Sequence, residues 1–216
     1  KPIGSVTQMG TIRLGKRTEN REPMIKDFVP LAGMNDLVFG GWDLFHDDAY
    51  AAAKEAGVLR SEHLEPIKDE LSNIKPMSAV FFPEFVKKLR GENVKTETNK
   101  MELADAVRAD IRKFKADNDL SRCVAVWCGS TEVHREPTAV HESLKAFEEG
   151  LRNSDPAISP SQIYAYACVK EGVPYANGAP HLTADFPAML ELAQQCCREV
   201  SWVGSASWSC SRPRAG

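Results

Sequence analysis

Three stretches of the chain run from an apolar approach into a tight turn of small and polar residues. They are Leu37-Val38-Phe39-Gly40-Gly41-Trp42-Asp43, Val126-Trp127-Cys128-Gly129-Ser130-Thr131-Glu132 and Val173-Pro174-Tyr175-Ala176-Asn177-Gly178-Ala179-Pro180. Turns of this kind suit a bound nucleotide or sugar phosphate, because glycines let the backbone approach a ligand without a Cβ in the way. Asp43 has two readings. At the end of a buried strand in a doubly wound fold, a carboxylate can accept hydrogen bonds from both hydroxyls of an adenine ribose; otherwise it only caps its turn. Cys128-Gly129-Ser130-Thr131 follows a second strand, where α/β sheets place ligands, so its amides and hydroxyls can hold a ribose or phosphate. As a nucleophile, Cys128 needs a nearby base, His134 or His141, and the sequence places neither beside it. Asn177-Gly178 favours positive φ, and Pro180 fixes the following bend.

These turns need a scaffold. Leu37-Val38-Phe39 reads as a buried strand closed by two glycines. A helix follows over residues 49–56, capped by Asp47 or Asp48 and ended by Gly57. Leu64, Ile67, Leu71 and Ile74 predict an amphipathic helix over 62–74, stopped by Pro76. Ala79-Val80-Phe81-Phe82 predicts a strand, and residues 91–99 a polar loop. Leu103, Val107, Ile111 and Phe114 mark one face of a helix over 100–116. Residues 123–127 predict a buried strand, and further helices are expected over 138–151, 161–169 and 187–193. Strands alternating with helices make this an α/β fold with a mainly parallel sheet.

The chain has 216 residues, 43% apolar and 26% charged, which is ordinary for a globular protein with a sizeable core. Its formal charge of −3 gives no electrostatic footprint for nucleic acid or an anionic membrane. No apolar run reaches the roughly 18 residues of a membrane span, and no secretory h-region opens the chain, so a cytoplasmic protein is expected. The six cysteines show no CxxC or Cys/His zinc spacing, so reduced thiols and no metal are expected. Composition shifts at Gln194/Gln195. From there to Gly216 stand five Ser, three Cys, three Arg and two Trp with no periodicity. Residues 195–216 are therefore set apart from residues 1–194, either as a disordered end or as a segment read out of frame; the Trp and Cys content favours the second.

Together the three stretches resemble the myo-inositol-phosphate synthase family, in particular its bacterial-type branch, from Lys1 to about Gln194. The resemblance implies a Rossmann-like NAD-binding domain, incomplete here, with the start of an inserted α+β portion. It implies NAD as cofactor, held by Asp43, Ala79, Val80, Cys128, Gly129, Ser130, Thr131, Gly178 and Ala179. It also implies glucose 6-phosphate as substrate, conversion to inositol phosphate with no net redox, a role in inositol and phospholipid biosynthesis, and a homo-oligomer, a tetramer in the family. His181 departs from the pattern, standing where relatives carry an amide residue. No GxGxxG-like loop precedes the first strand, and the family's Asp-Phe-Lys segment with its catalytic lysines does not follow the third stretch. With Lys1 in place of an initiator Met, the chain reads as the central part of a synthase, and no catalytic residue is assigned. The alternative is a non-catalytic NAD-binding or oligomerisation module of the same descent.

Overall fold

A computed structural model describes residues 6–196, 200–202 and 207–210. The chain divides into two compact units, residues 1–39 and 40–216. In the first, an antiparallel bridge joins Thr11 to Met24 and is followed by a 3-10 turn at Ile25–Asp27. The Met24 amide donates to the Asp27 carboxylate at 2.9 Å and so closes that turn. Leu37, Val38 and Phe39 form no strand and stand exposed, contrary to the expected buried strand. Their apolar character reads as a strand, but no partner strand pairs with them among the described residues.

The second unit carries two parallel strand pairs. Strand β1 (Trp42–Asp43) pairs with β2 (Met77–Ser78), Trp42 opposite Met77. Strand β3 (Ala125–Trp127) pairs with β4 (Tyr175–Asn177), Trp127 opposite Asn177. On the far side of β4 the backbone of β6 (Ser207–Cys210) runs antiparallel and pairs in turn with β5 (Val200–Trp202). The segment from 195 onward thus contains two short strands; its residues 197–199, 203–206 and 211–216 lie outside the described ones.

Helix α1 (Ala49–Ala56) begins where Asp48 accepts the Ala51 amide at 2.8 Å and ends at Gly57, whose φ of 63° suits glycine. The helix expected over 62–74 is broken. A single α-helical turn at Ser61–Leu64 and a 3-10 turn at Glu65–Ile67 precede α2 (Lys68–Asn73), with Pro66 at the start of the 3-10 turn. The strand expected at 79–82 lies earlier, at β2, and Ala79 makes only an isolated bridge to Val94. The expected polar loop there holds buried Asn93, whose Nδ2 donates to the Asp43 carbonyl at 3.0 Å and so ties β1 to this loop.

Helix α3 (Lys100–Asp117) buries Leu103, Val107 and Ile111 and is capped by Asn99, which accepts the Glu102 amide. The helix expected from 138 is instead a 3-10 turn (Ala139–His141) followed by α4 (Leu144–Arg152), because Ser143 caps a new start. Helix α5 (Pro160–Lys170) opens with a Ser159/Gln162 capping box and is buried for most of its length. Helix α6 (Pro187–Cys196) packs beside it. The core gathers Val107, Phe147, Leu151, Ile163 and Leu192 among these four helices, with Tyr175 of β4 beneath. No helix among the described residues is long and apolar enough to cross a membrane.

Candidate functional site

The site forms where the carboxyl ends of β1 and β3 face one cavity of about 540 Å³. Side chains alternate along β1. Trp42 turns inward, against the Tyr164 ring at 5.1 Å, and its indole N–H donates to Asp110 at 2.8 Å. Lys95 pairs with the same carboxylate at 2.8 Å, so Trp42 is fixed from two elements. Asp43, the next residue, turns outward and is exposed. One of its oxygens accepts the Phe45 amide at 3.1 Å, and the other makes no hydrogen bond among the described residues. A Cβ added at Gly41 would meet nothing within 4 Å, so the backbone beside Asp43 opens onto free space.

Across the cavity, Trp127 packs on Tyr164 at 5.8 Å and stands edge-on to His181. Tyr164 thus contacts the last inward ring of each strand pair. Its hydroxyl accepts the Val80 amide at 2.8 Å. Beyond Trp127, Cys128, Gly129 and Ser130 are exposed and line the cavity.

Asp43, Ala79, Val80, Cys128, Gly129 and Ser130 all line this one cavity. Ala79 and Val80 are buried and their amides are already bonded, to Asn93 and Tyr164, so they offer only apolar contact. Thr131, Gly178 and Ala179 are not among its lining residues. Gly178 donates its amide to the Trp127 carbonyl at 3.0 Å, and an added Cβ would lie 2.7 Å from that oxygen. Its missing side chain therefore serves packing of the turn on β3. Neither Asn177 nor Gly178 has positive φ, contrary to the expectation for Asn-Gly, because Asn177 is the last residue of β4. The Asn177 side chain accepts the Ala179 amide and donates to the His181 carbonyl and Thr183 hydroxyl, which closes the turn.

Glu132 is the residue whose role the sequence did not show. It is buried, and its carboxylate accepts the Ser161 amide at 2.8 Å and hydroxyl at 2.6 Å at the start of α5. Its own amide donates to His181 Nδ1 at 3.1 Å. The turn after β3 is thereby joined to the turn after β4 and to the helix between them. Burial lowers the His181 pKa, and the Glu132 carboxylate opposes that only in part. With Nδ1 accepting an amide proton, the neutral ring carries its own proton on Nε2. The only advance signal was that His181 stands where relatives carry an amide residue.

A nucleophilic Cys128 receives no base. His134 pairs with Glu136 at 3.1 Å, and buried His141 accepts the Thr138 amide at 3.0 Å and lies beside Gln162.

The lining fits the nucleoside ends of a dinucleotide. An exposed carboxylate with a free oxygen stands at one strand end and small exposed residues at the other, and the backbone at Gly41, which also lines the cavity, is open. Among the described residues no glycine-rich turn supplies amides for a pyrophosphate, so that portion has no assigned partner here.

A profile of an NAD-binding family described as myo-inositol-1-phosphate synthase matches residues 2–205. Inositol-3-phosphate synthase 1 of Bacteroides thetaiotaomicron is 46% identical over 196 residues, 90% of this chain and 45% of that protein. Inositol-3-phosphate synthase 1 of Oryza sativa subsp. japonica is 33% identical, over 88% of this chain and 38% of that protein. The crystal structure of inositol-3-phosphate synthase from Caenorhabditis elegans superposes with a TM-score of 0.81 at 32% identity, covering 89% of this chain and 39% of that one. The chain therefore spans less than half the length of these relatives.

Proposed function

Because the chain belongs to the NAD-binding myo-inositol-1-phosphate synthase family, we propose that it is the cofactor-binding part of an inositol-3-phosphate synthase. The reaction is isomerisation of D-glucose 6-phosphate to 1D-myo-inositol 3-phosphate, in inositol and phospholipid biosynthesis, within a cytoplasmic homo-oligomer. The observation that carries this reading is Asp43 and Cys128–Ser130 at two strand ends of one cavity. NAD bound here would supply a reversible hydride acceptor for a ring alcohol, with no net redox over the isomerisation.

The chain's own residues bind and orient. Asp43 accepts hydrogen bonds from the adenine ribose hydroxyls through its free oxygen, a role suited to a carboxylate at this strand end. Gly129 and Ser130 hold the other nucleoside, with Cys128 as apolar contact, and Thr131, outside the cavity lining, continues their turn. Ala79 and Val80 wall the site. Gly178 and Ala179 act at one remove, by holding the turn that fixes the end of β3. No lysine is assigned to the phosphate or to the enolate.

The test is a chimera in which residues 40–194 replace the matching part of the Bacteroides thetaiotaomicron relative. Formation of inositol phosphate from glucose 6-phosphate, lost in Asp43→Ala, supports the proposal. A folded chimera that binds NAD without turnover favours the non-catalytic module, and one that does neither overturns both. The segment from 195 is proposed to be read in a shifted frame. Sequencing the coding DNA across Gln194/Gln195 decides that: the proposal needs another frame there that continues the family's pattern.

A further inference from the structure

The two strand ends that meet in the cavity are built alike. In each, a half-buried tryptophan, Trp42 or Trp127, immediately precedes an exposed residue that lines the cavity, Asp43 or Cys128. One side chain serves both tryptophans. The Tyr164 ring lies 5.1 Å from that of Trp42 and 5.8 Å from that of Trp127, tilted by 56° to each.

Tyr164 is held where it stands. It is 6% exposed, and its hydroxyl accepts the Val80 amide at 2.8 Å. Its helix, α5, is fixed at the start by the Ser159/Gln162 capping box and by Glu132, which takes the Ser161 amide and hydroxyl. Each tryptophan is also backed from elsewhere. Asp110 accepts the Trp42 indole N–H at 2.8 Å. His181 stands edge-on to Trp127, and a Cβ at Gly129 would lie 3.5 Å from the Trp127 ring.

Consecutive residues of a strand are about 3.3 Å apart, so a shift of either tryptophan passes to the neighbour that faces the cavity. The Tyr164 ring thereby fixes the separation of Asp43 from Cys128–Ser130. That separation matters little to a ligand that touches one end. It matters to one that joins both, because linked halves reinforce each other, by about 10²–10⁴ in affinity, only when the sites match their span.

We infer that Tyr164 is a positioning residue that sets the span of the site and so selects a dinucleotide over its mononucleotide halves. The inference rests on the proposed function, in which Asp43 holds one ribose and Gly129 and Ser130 the other nucleoside. Tyr164 acts through Trp42 and Trp127, and its ring, not its hydroxyl, is the spacer.

The test titrates NAD and AMP into the full chain and three variants, followed by isotope-edited NMR, with far-UV circular dichroism as the check on folding. Tyr164→Phe keeps the ring, and Tyr164→Leu removes it. Trp127→Phe is milder, because the Trp127 indole N–H makes no hydrogen bond among the described residues and its loss leaves no acceptor unpaired. In the parent and in Tyr164→Phe, NAD should shift Asp43 and Cys128–Ser130 with one common Kd, and AMP should shift Asp43 alone. In Tyr164→Leu the Kd for NAD should rise at least about tenfold while that for AMP stays within about twofold. Trp127→Phe should separate the two ligands in the same sense by at least about threefold, which decides the matter if Tyr164→Leu does not fold. NAD and AMP weakened by the same factor would mean a merely structural role and overturn the inference. So would NAD bound at the parent's Kd without the ring, or a Tyr164→Phe protein as impaired as Tyr164→Leu. A parent in which NAD moves neither strand end overturns the proposed function, and this role with it.

Discussion

Replacing Gly178 by alanine should destabilise the protein, while the same change at Gly129 should not. The added methyl at 178 would sit 2.7 Å from the Trp127 carbonyl oxygen, whereas at 129 it would sit 3.5 Å from the Trp127 indole, an ordinary contact. To relieve the first clash, the turn or the end of β3 must recede by about 0.7 Å. The obstacle is backbone, so no side-chain rotation relieves it. Overpacking of this kind costs about 1–3 kcal/mol. The same movement strains the Gly178–Trp127 hydrogen bond, worth about 0.5–1.5 kcal/mol. Against this, alanine narrows the unfolded ensemble by about 0.4–1 kcal/mol, and φ at 178 is not positive, so no backbone penalty is added. The net loss is about 1–3 kcal/mol, a fall in Tm of roughly 3–10 °C for a domain of this size. Urea unfolding followed by circular dichroism measures it. A Gly178→Ala protein as stable as the parent, or a Gly129→Ala protein equally destabilised, would refute the packing role assigned to Gly178.

Other perturbations have equally definite outcomes. His181 is held neutral by burial and by the Glu132 amide at Nδ1. Below pH about 6.5 the unfolded chain binds a proton that the native state resists, so stability falls with acidification, by up to about 1.4 kcal/mol per pH unit. Urea midpoints should show this slope in the parent but not in His181→Gln, and equal slopes would contradict it. Glu132→Ala should lose about 1.5–3 kcal/mol, because the start of α5 loses a charged acceptor for Ser161; thermal melts check it, and a Tm unchanged within error would count against that role. Burial pushes the Cys168 thiol up to about 12, so iodoacetamide at neutral pH should label exposed Cys128 first and Cys168 only on unfolding. Native-state labelling at Cys168, read by peptide mass, would show that the core opens there.

Elements whose signals are local were legible in the sequence. Asp48 and Gly57 bracket α1, and the Leu103-Val107-Ile111 stripe marks α3, because caps and periodicity are properties of a few adjacent residues. The strand segments were misplaced by a few residues, since apolar runs at 37–39 and 79–82 look like strands whether or not an edge lies beside them. Val124 and Val126 read as buried but are exposed, because burial of a strand face depends on what covers it. At the site, the family resemblance grouped Asp43 with Cys128–Ser130, and these line one cavity, whereas Thr131, Gly178 and Ala179, grouped with them, are not among its lining residues. Glu132 and Asn93 stayed hidden: their buried bonds run to residues far along the chain, and neither spacing nor composition marks them.

The central claim is that the ends of β1 and β3 hold NAD, and an isotope-edited NMR titration of the chain with NAD tests it most directly, because even millimolar binding is visible. The account predicts shifts concentrated at Asp43 and Cys128–Ser130, greatly weakened in Asp43→Ala. NADP should bind far less well, because its 2′-phosphate would meet the Asp43 carboxylate. Shifts confined to other residues, or NADP binding equal to that of NAD, would contradict the account.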